Sequence, residues 1–311
     1  MMHKKGNCKK ALIIGIDSAI GKVLAEFLRV NEWTVFGTTR KKQAFEKNKY
    51  LLFLDLFQVE DFVFEERVDV VFLCAAIPKV SLCRDHPDHT RKVNVEAQLF
   101  LANYLLKKIK LLVFISTSAV FDGSIPFCSV NENTSPSTVY GQQKVEVEQE
   151  LLKLGSKIAI VRLTKVLTLD YALICEWITS LSKGKVIKPF YDLLVCPVSI
   201  HLVVAVLKII AEKQMPGIFH LSGLEEVTYA DIAKYVAKQM QVSDSLVQPV
   251  SAINNGLHPQ DLLLHASLKM ECDAFFLTHK AVGLYGDINS LYGKLMTMKV
   301  CKDVAIDFLK V

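Results

Sequence analysis

Ala11-Leu-Ile-Ile14, Gly15-Ile-Asp-Ser-Ala-Ile-Gly21 and Lys22-Val-Leu-Ala-Glu-Phe-Leu28 follow one another as an apolar run, a glycine-bounded turn and a helical pattern. Strand, tight turn and helix form the context in which a glycine loop signals dinucleotide binding. Gly15 makes the turn, and Gly21 lets the helix pack on the strand. Between them, amides at the helix start face a pyrophosphate whose charge the helix dipole favours. The middle glycine of such turns is replaced by Ser18. Taken alone, the turn serves an ordinary strand–helix connection as well as a cofactor.

Working outward, apolar runs keep alternating with helical stretches. Thr34–Gly37, Tyr50–Leu54, Val68–Cys74, Leu111–Ile115 and Lys157–Val161 read as further strands. Helices are expected over His86–Lys108 and Val139–Leu154. Near-continuous apolar strands separated by helices mean a parallel sheet covered on both faces. The fold class is therefore α/β, a Rossmann-like doubly wound parallel sheet over residues 10–168. From 169 to 311 the pattern loosens into a smaller mixed α/β lobe for substrate, with helices near 171–183, 200–213 and 229–240. Short strands are expected near 186 and 218, and little is legible past 245.

The 311 residues suit about two structural units, and half of them are hydrophobic, enough for a sizeable core. The formal charge of +5 is mild and comes largely from Lys4, Lys5, Lys9, Lys10 and Arg40-Lys41-Lys42. No basic stripe is interleaved with aromatics, which argues against a nucleic-acid partner. The N-terminal region lacks a signal-peptide cleavage pattern. The Leu193–Ile210 run is broken by Pro197, His201 and Lys208 and reads as strand, turn and core-facing helix rather than a membrane span. The eight cysteines include no CxxC pair and read as buried thiols of a cytoplasmic protein. His86 and His89 have no acidic or cysteine partners spaced to complete a metal site, so no metal is expected.

At the end of the second strand a carboxylate would hold the ribose 2′-hydroxyl of NAD. Here the chain reads Thr38-Thr-Arg-Lys-Lys42, three cations and no acid. That composition suits a 2′-phosphate, so NADP is expected over NAD. After the fifth strand come Ser116-Thr-Ser-Ala-Val-Phe-Asp-Gly123, Glu132, Pro136 and Tyr140-Gly-Gln-Gln-Lys144. Tyr140 and Lys144, four apart, share a helix face. An adjacent ammonium favours the phenolate and is expected to lower the tyrosine pKa toward the working range.

This spacing resembles the extended short-chain dehydrogenase/reductase family of nucleotide-sugar enzymes, most closely its dTDP-4-dehydrorhamnose reductase branch. The resemblance spans roughly residues 10 to 240. It implies that Tyr140 is the general acid, that Lys144 lowers its pKa and holds the nicotinamide ribose, and that Thr117 hydrogen-bonds the reacting oxygen. It places Gly15, Ser18, Ala19, Ile20 and Gly21 at the pyrophosphate, and Thr39 and Arg40 beside the adenosine phosphate. Asp55-Leu56 matches the adenine-contacting pair, Cys74-Ala75-Ala76 the small-residue cofactor loop, and Asn94 the helix asparagine. Ser118 stands where the branch has aspartate, and Lys165 where a substrate-contacting tryptophan is usual; Lys165 is a candidate for a substrate phosphate.

The implied activity is NADP-dependent reduction of a 4-keto nucleotide sugar for polysaccharide biosynthesis, with a homodimer as a compatible assembly. Epimerase or dehydratase chemistry of the same family is one alternative. Another is a non-catalytic, NADP-binding regulatory subunit, because a regulatory subunit of methionine adenosyltransferase looks like the same branch and also keeps Tyr-x-x-x-Lys.

Overall fold

The computed structural model describes residues 8–42, 48–168, 171–223, 225–262 and 264–269. Lys4, Lys5, Cys272, Cys301 and the rest of the lobe expected beyond 269 lie outside the described residues. The chain forms two compact units. Among the described residues, one is built from 8–122, 133–163 and 200–220; the other from 123–132, 164–199 and 221–269.

The first unit is organised on β1 (Lys10–Ile14), β2 (Thr34–Thr39), β3 (Leu51–Phe53), β4 (Val70–Leu73), β5 (Leu111–Thr117), β6 (Ile158–Leu163) and β10 (Gly217–Leu221). These seven strands lie in the order β10-β6-β5-β4-β1-β2-β3, and the pairs from β3 through β6 are parallel. Ala11 through Ile14 have no exposure at all, so β1 is covered on both faces. Alternate residues Leu12, Ile14, Val71, Leu73, Leu112 and Phe114 share one core cluster with Leu101 and Leu105 of α4 (Ala97–Leu105) and with Val147 and Leu151 of α5 (Val139–Lys153). α1 (Ala19–Val30) packs against α7 (Ile200–Lys213).

Three expectations change in detail, two of them in the first unit. The helix expected over His86–Lys108 is α3 (Pro87–Arg91), a π-helical turn over Lys92–Glu96, α4 and a closing 3₁₀ turn, preceded by a short α2 (Val80–Asp85). Residues 200–220, read from sequence with the second lobe, belong to the first unit, because α7 packs on α1 and β10 extends the main sheet beside β6. The apolar run from 193 to 210 is two short strands, β8 (Leu194–Val195) and β9 (Pro197–Ser199), followed by α7. No helix among the described residues is long and apolar enough to cross a membrane.

The second unit packs α6 (Ala172–Ser182) against α8 (Tyr229–Gln239). Ile174, Trp177, Ile178 and Leu181 meet Ala233, Val236 and Ala237, and Trp177 lies edge-to-face with Tyr229 at 6.3 Å. α8 starts on a capping box in which Thr228 and Asp231 satisfy each other's amides. Two small sheets complete this unit: β7 (Lys165–Leu167) parallel with β9, and β8 antiparallel with β11 (Val227–Thr228). Around residue 186 there is no strand; Ile187 makes only an isolated bridge to Val247.

Leu101 is fully buried under the sheet, whereas Leu152 on α5 is 47% exposed. Leu101→Ala is expected to cost about 2–5 kcal/mol and Leu152→Ala less than about 0.5 kcal/mol, read from the urea midpoints of the two variants.

Candidate functional site

The strand order reverses between β1 and β4, and ligands of open α/β sheets bind outside the carboxyl ends of the strands at such a point. Gly15 takes φ +85°, a left-handed conformation that L side chains rarely adopt, and a Cβ there would stand 2.6 Å from the Cβ of Ala75. The turn is fastened to β2: Gly15 N donates to Thr38 Oγ1 at 2.9 Å and Ile16 N to the Thr38 carbonyl at 3.0 Å. On the other side Cys74 N donates to the Ile14 carbonyl at 3.0 Å.

Ser18 is the N-cap of α1. Its φ of −68° needs no glycine, and its Oγ accepts from Gly21 N at 3.0 Å. The missing glycine therefore brings no strain and supplies a cap. Capping takes up the Gly21 amide and leaves those of Ala19 and Ile20 at the helix start, where an anion is favoured.

A cleft of about 290 Å³ opens at this point. Of the residues named from sequence, Gly15, Ser18, Thr39, Arg40, Asp55, Leu56, Ala75 and Ala76 line it. Asp55 also caps the following 3₁₀ turn, accepting from Phe57 N at 3.1 Å. Cys74 precedes the lining pair, and burial pushes its thiol up to about 12 although the Lys144 ammonium pulls it down. Asn94 is not among the residues that line the cleft. It is fully buried in the π-helical turn, where Oδ1 accepts from Ile77 N at 2.8 Å and Nδ2 donates to the Ile77 carbonyl at 3.0 Å and to Gln143 Oε1 at 2.8 Å. Asn94 thus ties the loop after β4 to the helix that carries Tyr140.

Sequence reading missed Asp17, which also lines the cleft. Its Oδ2 accepts from Thr39 Oγ1 at 2.5 Å and its Oδ1 from Lys41 Nζ at 3.1 Å. Burial, which opposes ionisation, is outweighed by those two donors and the Lys41 charge, and the carboxyl is held below its usual range. The acid absent from the end of β2 is supplied by the glycine turn.

Thr117, Tyr140 and Lys144 all lie in the first unit. Thr117 ends β5, and its Oγ1 accepts from Ala119 N at 3.2 Å. Tyr140 is in the first turn of α5, capped by Thr138, whose Oγ1 accepts from Gly141 N at 3.1 Å. Gly141 is required: a Cβ there would run into the Ala119 carbonyl. Lys144 Nζ donates to the Ile115 carbonyl at 2.8 Å and sits 4.4 Å from the ring centre of Phe114 and 5.8 Å from that of Tyr140. Burial lowers the Lys144 pKa to about 8, against the opposing pull of Glu148, Cys74 and Cys83. The expected lowering at Tyr140 does not occur. Burial, with a contribution from Cys83, pushes the phenol well above its ordinary value, because desolvation disfavours the phenolate. Ser118 opens the 3₁₀ turn after β5. Lys165 lies in the second unit with its ammonium 4.8 Å from the ring centre of Tyr171.

Behind this site is a buried network that no sequence motif marks. Arg162 donates through Nε and Nη2 to both oxygens of Glu148 at 2.7–3.1 Å, Ser116 Oγ donates to Glu148 at 2.5 Å, and Arg162 Nη1 meets His220 Nε2 at 3.3 Å. The two charged side chains are only 4% and 3% exposed. The network fixes α5 to β5, β6 and β10.

Residues 9–260 match the model of the RmlD substrate binding domain. The chain belongs to that family. Among curated relatives, the methionine adenosyltransferase 2 subunit beta of Bos taurus is 24% identical over 253 residues, covering 78% of this chain and 75% of that protein. A dTDP-4-dehydrorhamnose reductase of Sinorhizobium fredii is 25% identical over 215 residues, covering 66% and 72%. Among solved structures, the dTDP-4-dehydrorhamnose reductase of Bacillus anthracis in complex with NADP superposes with a TM-score of 0.72 at 22% identity, over 85% of this chain and 91% of that one. At that identity the superposition establishes the RmlD-type fold alone.

Two outcomes follow from this geometry. Glu148→Ala is expected to destabilise the protein by about 3–5 kcal/mol by leaving Arg162 buried and unpaired, and a Glu148→Leu/Arg162→Leu pair to recover most of that loss in urea unfolding. Lys144 has a folded pKa of about 8 against an ordinary 10.5, so between those values the folded chain binds fewer protons than the unfolded one. Its contribution to stability therefore rises with pH across that window. The Tm of the wild type relative to Lys144→Met is expected to climb from pH 8 to pH 10; a flat difference would mean the ammonium is not held against burial.

Proposed function

We propose that this chain binds NADP in the cleft after β1 and β4 and uses Tyr140, Lys144 and Thr117 to reduce a 4-keto nucleotide sugar. The observation that carries the reading is the placement of Tyr140 in the first turn of α5 with the Lys144 ammonium 5.8 Å from its ring centre, while Thr117 ends the neighbouring β5. A protonated phenol beside an ammonium is the arrangement a proton donor to a carbonyl oxygen needs. The residues present fit the cofactor. The left-handed Gly15 and the Asp55–Leu56 wall of the cleft, with the α1 N-terminus starting at Ala19 directly after the lining residue Ser18, suit an adenosine diphosphate, and Arg40 in the lining suits a 2′-phosphate. When bound, the nicotinamide supplies the hydride.

The remaining steps belong to the chain. Thr117 Oγ1 already accepts from the Ala119 amide, so its proton is the one left to donate to a substrate oxygen. Tyr140 gives its proton to that oxygen as charge develops there. Lys144 holds positive charge beside the ring and stabilises the phenolate that remains. The relatedness to the Sinorhizobium reductase supports the same substrate class.

A second reading, a non-catalytic NADP-binding regulatory subunit, is favoured by the longer match to the methionine adenosyltransferase subunit beta and by Ser118 and Lys165 in place of the reductase residues. Stopped-flow absorbance at 340 nm with NADPH and a panel of 4-keto nucleotide sugars separates the two. NADPH oxidation is expected, with Tyr140→Phe abolishing it while leaving NADPH affinity within about twofold. If no sugar is reduced and NADPH still raises the Tm, the reductase reading falls and the regulatory one stands.

A further inference from the structure

The rim of the cleft at the end of β2 carries two opposed features. Arg40 and Lys41 supply positive charge, and Asp17 brings a carboxylate to the same place from the glycine turn. The contacts close a ring: Lys41 N donates to Thr39 Oγ1 at 3.0 Å, Thr39 Oγ1 donates to Asp17 Oδ2 at 2.5 Å, and Lys41 Nζ donates to Asp17 Oδ1 at 3.1 Å. Thr39, Arg40 and Asp17 all line the cleft. The pair is open to water, with side-chain exposures of 71% for Lys41 and 43% for Asp17. A ligand phosphate at this rim would meet the carboxylate directly and would have to compete with it for Lys41 and Thr39.

We infer that Asp17 is the specificity-determining residue that works against the 2′-phosphate of an adenine dinucleotide in this cleft, by repelling it and by holding the groups that would meet it. The inference rests on the NADP reading above and adds to it the residue that works against the phosphate. In its ionised form Asp17 is acceptor-only. It holds the Lys41 ammonium and the Thr39 hydroxyl in its own hydrogen bonds, and its charge repels a second anion. Arg40, which is exposed and takes no part in the ring, is left as the cation that a 2′-phosphate reaches without breaking a contact.

Isothermal titration of the full chain with NADPH and with NADH tests this, comparing wild type, Asp17→Asn, Lys41→Met and the double variant. Asparagine keeps the size of the side chain and an oxygen for the Thr39 hydroxyl while removing the charge. Asp17→Asn is expected to tighten NADPH by about fivefold at low salt, the scale of one unit-charge contact in water, and to change NADH by less than about twofold. The gain should shrink at 0.15 M or higher ionic strength. It should be smaller when the Asp17→Asn/Lys41→Met double variant is compared with Lys41→Met, because no freed ammonium then reaches the phosphate and only the lifted repulsion remains. Equal changes for both dinucleotides, accompanied by a lower Tm, would reduce Asp17 to a staple of the turn and overturn the inference. Selective weakening of NADH would also overturn it, by showing that the carboxylate accepts the ribose hydroxyl. A wild type that binds neither dinucleotide defeats the NADP reading itself, and this inference with it; a wild type that binds NADPH with no selective shift in Asp17→Asn defeats this inference alone.

Discussion

The close approach of the β1 turn to the loop after β4 is the constraint on which the rest depends. β1 is buried on both faces, so its backbone groups must be satisfied by β2 and β4, and its end is held by Thr38 on one side and Cys74 on the other. A chain leaving such a strand beside Ala75 has room only for a residue without a side chain, in a conformation with positive φ. Gly15 satisfies both requirements. Once the turn is fixed, α1 starts on its Ser18 cap, and the walls of the cleft follow from the neighbouring strand ends.

A second constraint holds the proposed catalytic side chains. α5 can bring Tyr140 beside β5 only because Gly141 lets its first turn lie on the Ala119 carbonyl. Further along the same helix, Glu148 reaches Ser116 and Arg162, and Gln143 reaches Asn94. One face of α5 thus carries Lys144 and two buried polar anchors. Such groups are costly when unpaired, so the helix has one low-energy register against the sheet. The same burial sets the chemistry: it holds Lys144 down and Tyr140 up, giving a proton-bearing phenol next to a constrained ammonium.

Burial and charge work differently at the two parts of this site. At the α5 end the groups are enclosed and desolvation dominates. At the rim near Arg40 the groups are open, and the direction at Asp17 is set by its hydrogen bonds and the Lys41 charge. A sequence rule that looks for an acid at the end of β2 therefore gives the wrong inventory here, since the carboxylate arrives from 22 residues earlier in the chain.

The fold class was determined by local pattern. Apolar strands of period suited to double burial, the glycine turn and the Tyr140–Lys144 spacing depend on residues within a few positions of one another, and physics of that range is written in the sequence. So too were most of the cleft's lining residues, because strand ends in a parallel sheet converge wherever the strand order reverses. Tertiary structure alone decided what lay between distant segments. Asp17 meets Thr39 and Lys41, Arg162 meets Glu148 and His220, and Asn94 binds Ile77 and Gln143. The rise of the Tyr140 pKa was decided there as well, because desolvation depends on everything packed around a group, and no spacing of two residues along a chain specifies that.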